Sequence, residues 1–322
     1  MQSNNAPLAP GQQNRLLLID GLNIVRRVYE AVPGEDSEEK ATGALKSSWA
    51  SILRAIRETS PTHFLAAFDY GGTTWRHKLY PQYKEHRSPM PTVLKDALPG
   101  FLDRMNDAGL KTLRVPDVEA DDTLGTISVK AVARGFDVVL VSTDKDMLRL
   151  IEFGVRIRDH FKSEYRDEAY VLEKYGVASR LMGDMLGLMG DVSDGIPGVA
   201  KIGIKTAAKL LNEYGGLDNI LDAACSVIDP IKGAIGVRLQ ESVAIARLSR
   251  DLAALKLNVP LGISPNDIRL PPSVAELIEV GQSSKGRTGK IFSSPVTDVP
   301  VASQMVPTDV IAAVQSPKRM RA

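Results

Sequence analysis

Acidic residues are the part of this sequence with the clearest chemical potential, and their positions follow a pattern. The stretch "DVEADDTLG" (117–125) sets Glu119, Asp121 and Asp122 within four positions. Asp20 closes the apolar run "RLLLID", Asp69 closes "HFLAAFD", and Asp144 closes "DVVLVSTD", with Asp146 two residues on. "GDVSDGIPG" (190–198) adds Asp191 and Asp194 at a spacing that lets both share a face of one helical turn. A lone Asp at a strand end is usually a turn former or helix cap. Three acids at a helix start equally suit the positive end of the helix dipole. The joint pattern, with acids arriving from four strand ends, points instead to one anionic site. Carboxylates gathered so closely raise one another's pKa unless cations intervene. Ligand sets made only of oxygen favour hard ions, Mg²⁺ or Mn²⁺. A cluster this large implies two or more ions, and paired ions suit phosphodiester hydrolysis. Calcium is a weaker alternative, since no EF-hand spacing occurs.

The elements that must carry these acids read as alternating strands and helices. Strands are expected at 15–20, 63–69, 111–115, 137–144 and 155–159. Helical periodicity marks 44–58 and 120–134, and "PGFLDRMNDAGL" (99–110) reads as a helix with Pro99 in its first turn. Alternation of this kind predicts an α/β fold, a mostly parallel sheet with helices on both faces. Such sheets form their sites beyond the carboxyl ends of the strands, where these acids lie. From 181 to 260 the chain reads as helical.

The chain has 322 residues, 43% of them hydrophobic and 25% charged, as in soluble globular proteins. Cys225 is the single cysteine, so no internal disulfide can form, which fits a reducing compartment. No apolar run is long enough to span a bilayer, and the N-terminal stretch lacks the apolar centre of a secretory signal. The expectation is a cytoplasmic protein with no membrane partner. Four scattered histidines in no HExxH or Cys/His pattern argue against zinc, and no Walker-type glycine loop is present. Net charge is +1, but Lys285, Arg287, Lys290, Lys318, Arg319 and Arg321 outweigh Asp298 and Asp309 beyond 280, so the body is net negative. Basic residues concentrate locally in 72–98, where Arg76, Lys78, Lys84, Arg87 and Lys95 interleave with Trp75, Tyr80 and Tyr83. A second basic stretch, "GVAKIGIKTAAKLL" (198–211), couples glycines to Lys201, Lys205 and Lys209. Taken alone, each of these is more often a solvated face.

In order along the chain, "LLLIDGLNIVRR", "AAFDYGGTTWRHKLYPQYKEHRSPMP", "VEADDTLGT", "VSTDKDMLRLI" and "LMGDVSDGIPGVAKIGIKTAAKLL" resemble the motifs of the structure-specific 5′ nucleases. This family includes the 5′–3′ exonuclease domain of bacterial DNA polymerase I and the phage flap endonucleases. The resemblance runs from about 15 to 260 and implies a PIN-like, Rossmann-like core, a helical arch and a C-terminal helix–three-turn–helix subdomain. It implies a flexible N-terminus over 1–14 and a core over 15–180, with the arch at about 72–98. A DNA-binding subdomain would follow over 181–279; beyond it, 280–322 is rich in Ser, Pro, Val and Thr with little regular pattern and reads as a flexible tail of unknown partner. Beyond the matched region the expectation is a short tail rather than a polymerase domain.

The resemblance implies a Mg²⁺- or Mn²⁺-dependent flap endonuclease or 5′–3′ exonuclease. Its partner would be branched or nicked double-stranded DNA with a 5′ single strand, and its task flap or primer removal in replication and repair. By motif position, Asp20, Asp69, Glu119 and Asp121 correspond to ligands of a first ion, with Asp122 beside them. Asp144, Asp146, Asp191 and Asp194 correspond to ligands of a second. Lys84 and Arg87 correspond to catalytic arch residues near the scissile phosphate, Tyr83 to a base-stacking residue, and Arg27 and Arg76 to further phosphate contacts. Gly198, Lys201, Gly203, Lys205, Thr206 and Lys209 correspond to the duplex-binding hairpin, where family members hold K⁺ on backbone carbonyls. The implied oligomeric state is a monomer. Two rival readings are a ribonuclease built on the same core and a branch-binding module without turnover.

Overall fold

The computed structural model of the chain describes residues 14–228 and 230–275. The expected flexible N-terminus falls outside them save for its last residue, and the tail over 280–322, with all its basic residues, falls outside entirely. The order of elements in the first half is β1 (Arg15–Asp20), α1 (Gly21–Ala31), α2 (Glu38–Thr59), β2 (His63–Ala67), α3 (Trp75–Leu79), α4 (Thr92–Asp107), β3 (Thr112–Leu113), α5 (Ala120–Val132) and β4 (Asp137–Val141). A 3₁₀ segment Asp146–Phe153 leads to β5 (Arg156–Asp159), β6 (Glu164–Arg166) and α6 (Glu168–Tyr175). The second half is helical: α7 (Met182–Met189), α8 (Ile204–Tyr214), α9 (Leu217–Cys225), α10 (Gly233–Glu241) and α11 (Val243–Ala253). No helix among the described residues is long and apolar enough to cross a membrane.

The strands form one sheet in the order β3-β2-β1-β4-β5-β6. The first five are parallel, and β6 joins β5 antiparallel. Period-two alternation divides the core as a pleat requires. Leu16, Leu18, Leu65, Val138 and Leu140 pack with α5 and the later helices. Leu17, Ile19, Phe64, Val139 and Val141 point the other way, onto α1, α2 and α4. The chain runs outward from β1 to β2 and β3, then returns to place β4 on β1's other side. That reversal leaves a crevice at the carboxyl ends of β1 and β4, where such sheets bind ligands.

Several expected boundaries shift. Strand β2 ends at Ala67 and β4 at Val141, so Asp69 and Asp144 lie in loops beyond the last paired residues. The strand expected over 111–115 shrinks to two residues. β6 was not foreseen, because its three residues are too few to show a period. Pro99 was expected in a first turn, yet it lies inside α4, which starts a full turn and more earlier. Leu94, Leu98, Phe101, Leu102 and Met105 form one buried face there, and their packing outweighs the hydrogen bond that Pro99 removes.

Candidate metal centre and nucleic-acid interface

Asp20 is both the last residue of β1 and the N-cap of α1. Its Oδ1 accepts the Asn23 N–H at 3.1 Å, and its Oδ2 accepts the Ser142 hydroxyl at 2.9 Å. Ser142 Oγ also accepts the Asp144 N–H at 3.1 Å, so one hydroxyl ties β1 to the loop after β4. Asp144 in turn accepts the Asp146 N–H at 2.9 Å. Asp69 accepts the Ala120 N–H at 2.8 Å, joining the loop after β2 to the start of α5. Asp20, Asp69, Glu119, Asp121 and Asp144 line one cavity of about 400 Å³, together with Arg26, Arg27, Lys84 and Arg87.

Beside that cavity, Asp146, Asp191 and Asp194 bring one oxygen each within 4.8 Å of one another. The last two ride on a 3₁₀ turn, Val192–Asp194, for which Asp191 is the cap. Two glycines make this turn possible. A Cβ on Gly198 would lie 2.3 Å from the Gly190 nitrogen, and one on Gly190 would lie 2.5 Å from the Ile196 carbonyl. Both have positive φ, 62° at Gly198 and 70° at Gly190, and only bare backbones can cross so closely.

The electrostatics bear the mark of crowding. Burial, then the nearby Asp144 and Asp69 charges, push the Asp20 carboxyl up to about 7. Burial with Asp144 and Asp20 raises Asp121, and burial with Asp144 and Asp194 raises Asp146. Burial raises Asp69 as well. Asp146 Oδ1 is buried with no hydrogen-bond partner. A buried carboxylate with an oxygen lacking a donor, on a residue clustered with two more acids, fits a hard divalent cation.

The basic segment expected to arch over the site lies across it, pinned by its cations. Lys84 has positive φ (57°), a conformation that costs a non-glycine residue about 1–3 kcal/mol. Its N–H donates to the Asp194 carbonyl at 2.8 Å, and its ammonium reaches Glu119 at 2.8 Å and Asp194 at 3.6 Å. Burial alone would lower its pKa, but Glu119, Asp194 and Asp121 outweigh burial and raise it. Arg87 pairs with Asp194 and is exposed. Lys145 pairs with Asp191, and that contact holds the Asp191 carboxyl low against the effect of burial.

Four expected site residues take other positions. Asp122 is 0% exposed, and both its oxygens are engaged: Arg76, Trp75 Nε1 and two backbone N–H groups, of Glu119 and Lys256, donate to them. It is the buried partner of Arg76, with no oxygen facing the cavity. Arg76, expected on a phosphate, is 2% exposed and spends its donors on Glu119, Asp122 and the carbonyls of Leu252 and Ala254. Tyr83, expected to stack on a base, is 3% exposed, with its hydroxyl 3.1 Å from both Glu119 and Asp194. Gly198 is buried and donates its N–H to Ser249, so it shapes the Asp191 turn rather than meeting a duplex. Lys201, Gly203, Lys205 and Lys209 are exposed, and Thr206 is half-buried, around the free N-terminus of α8. Arg27 is exposed on α1 against the Phe161 ring.

The sequence reading missed four residues of the site. Arg26 lines the cavity, Asn23 accepts from the Thr143 N–H and hydroxyl, Ser142 bridges Asp20 and Asp144, and Lys145 binds Asp191. Asn23 stands three residues past Asp20, and Lys145 stands between two acids, so proximity to the acids was the available signal.

Residues 15–176 match the family model of the 5′–3′ exonuclease N-terminal resolvase-like domain, and residues 177–276 match that of the 5′–3′ exonuclease C-terminal SAM fold. The chain belongs to the 5′–3′ exonuclease family. The two matched parts share one hydrophobic core and lie in one compact unit. Flap endonuclease Xni of Aeromonas hydrophila is 36% identical over 262 residues, covering 80% of this chain and 96% of that protein. The Vibrio cholerae protein of the same name is 34% identical over 263 residues, covering 81% and 98%. Among solved structures, bacteriophage T5 5′-exonuclease with bound zinc aligns with a TM-score of 0.62 at 22% identity, over 76% of this chain and 90% of that one. The catalytic core of Rad2 in complex with DNA substrate aligns at 0.54 and 13% identity, over 84% and 88%. These likenesses establish the 5′–3′ exonuclease fold.

Proposed function

We propose that this member of the family is a divalent-metal-dependent, structure-specific 5′ nuclease that cleaves 5′-flap or nicked DNA. The observation that carries the reading is the cavity at the β1/β4 crevice, where five carboxylates face Arg26, Arg27, Lys84 and Arg87 beside the Asp146–Asp191–Asp194 triad. The flap endonuclease relatives, which this chain matches over nearly their whole length, support the same substrate.

Asp20, Asp69, Glu119 and Asp121 would hold one Mg²⁺ or Mn²⁺, and Asp144, Asp146, Asp191 and Asp194 a second. Bound ions would supply charge compensation at the attacked phosphate and an acidified water. The chain's own groups do the rest. Lys84 and Arg87 stand at the cavity, where they stabilise charge growing on the phosphate oxygens. Arg26 and Arg27 hold the adjoining strand. Water attacks phosphorus, the bond to the 3′ oxygen breaks, and the products carry a 5′-phosphate and a 3′-hydroxyl. The free N-terminus of α8, with Lys201, Lys205 and Lys209, grips the duplex backbone without reading sequence. The resemblance extends to K⁺ on carbonyls of the 196–203 turn, to action as a monomer, and to flap or primer removal in the cytoplasm.

The test is cleavage of a labelled 5′-flap DNA with and without Mg²⁺. A metal-dependent product near the junction is expected. No product at enzyme concentrations above the DNA concentration would remove the proposal. Asp144→Asn should abolish cleavage and leave DNA binding largely intact; normal cleavage would remove Asp144 from the ligand set.

A further inference from the structure

The loop after β4 carries Asp144 and Asp146, and one residue ahead of them it is held from two sides. Asn23 on α1 accepts from the Thr143 N–H at 3.2 Å and its hydroxyl at 3.0 Å. From the opposite side, Arg166 on β6 donates through Nη1 to the Thr143 carbonyl at 2.7 Å. That arginine is itself braced. Its Nη2 donates to Asp159 Oδ2 at 2.7 Å, and its guanidinium lies 5.4 Å from the Tyr170 ring centre. Asp159 is 1% exposed, and its other oxygen accepts the N–H groups of Phe161 and Lys162. Edge strand β6 contributes no acid to the cavity; within the sheet, what it delivers to the site is Arg166.

We infer that Arg166 is a positioning residue: clamped by Asp159, it fixes the Thr143 carbonyl and so holds Asp144 and Asp146 in place for a divalent cation. The inference rests on the proposed metal reading of those acids. Without Arg166, the peptide plane ahead of Asp144 would be held only through the Asp144 N–H to Ser142 Oγ, and ordering the looser loop would then draw on the binding energy of the ion. Partners of this outer kind typically change metal affinity by about 10–100-fold.

The experiment measures Mn²⁺ binding calorimetrically to the full chain, without DNA, for wild type, Arg166→Gln, Arg166→Lys and Asp159→Asn, each at a temperature well below its own melting point. Arg166→Gln should weaken Mn²⁺ by about tenfold. Arg166→Lys, which keeps the charge on a single donor nitrogen but loses the fork that spans Thr143 and Asp159, should fall between it and wild type. Asp159→Asn should weaken binding in the same direction. In cleavage, the Mg²⁺ concentration for half-maximal rate should rise about as much, while kcat at saturating Mg²⁺ and flap affinity in EDTA stay near wild type. A purely structural role would lower the melting temperature and leave the Mn²⁺ affinity alone. If wild type binds Mn²⁺ and folded Arg166→Lys and Asp159→Asn bind it equally well, the positioning role is overturned and the metal reading stands. If wild type binds no Mn²⁺, the metal reading fails and takes this inference with it.

Discussion

Replacing Arg76 by Met separates two roles that a basic residue in this segment can have. Arg76 is 2% exposed and makes five hydrogen bonds, to Glu119, to both oxygens of Asp122, and to the Leu252 and Ala254 carbonyls. Methionine fills much of the volume but donates nothing. Asp122, at 0% exposure, would then be a buried carboxylate without its cation. Breaking a buried pair from one side costs about 3–5 kcal/mol, and each orphaned carbonyl adds about 1–3. The N–H groups of Trp75, Glu119 and Lys256 still reach Asp122 and soften the loss. A total of about 5 kcal/mol is the expectation. For a chain of this size, with an unfolding entropy of about 2.1 cal/mol/K per residue, that lowers the melting temperature by about 7–9 °C. The assay is thermal unfolding followed by circular dichroism in EDTA, without DNA. Arg76→Met with Asp122→Asn should recover about half the loss, because the second change removes the stranded charge. A melting temperature within about 2 °C of wild type, with flap affinity reduced, would refute the reasoning and return Arg76 to the DNA.

Lys84→Ala should lower kcat by about 10²–10³-fold with far less change in KM, since the charge it meets develops in the transition state. A rise in KM alone would make Lys84 a simple binding contact. Lys205→Ala with Lys209→Ala should weaken duplex binding equally for all sequences and flatten the salt dependence of log K by about 2; an unchanged slope would take both lysines off the phosphates. Stability should depend on pH through His160, which burial, followed by the neighbouring Arg54, pushes from 6.5 down to about 4. The folded ring stays neutral while the unfolded one takes up a proton below about 6.5, so the stabilisation is complete above that pH and declines as pH falls towards 4. Urea midpoints at pH 7.5 and 5.0 should differ more for wild type than for His160→Gln; equal differences would clear His160 of the effect.

Much of the site could be read from the chain because parallel strands deliver their ends to one edge, and the acids at Asp20, Asp69 and Asp144 mark those ends. Helical phase was not legible. Asp121 and Asp122 are neighbours in sequence, but at the start of a helix about 100° separates them. Asp121 faces the cavity, while Asp122 turns inward and shares a capping box with Glu119. Nor could the sequence distinguish Arg76 and Tyr83 from exposed groups, since their partners Glu119, Asp122 and Asp194 lie from 36 to 111 residues further along. Gly198 looked like an approach point for a phosphate, whereas the backbone it lets through is that of Gly190.

The triad of Asp146, Asp191 and Asp194 straddles the join at 176–177 between the two family modules, with one acid before it and two after. A polypeptide that ends at the join holds Asp146 without Asp191 and Asp194, so this cluster is assembled only when both modules are present. On the proposed metal reading, separating the two modules would divide the ligands of the second ion between two pieces.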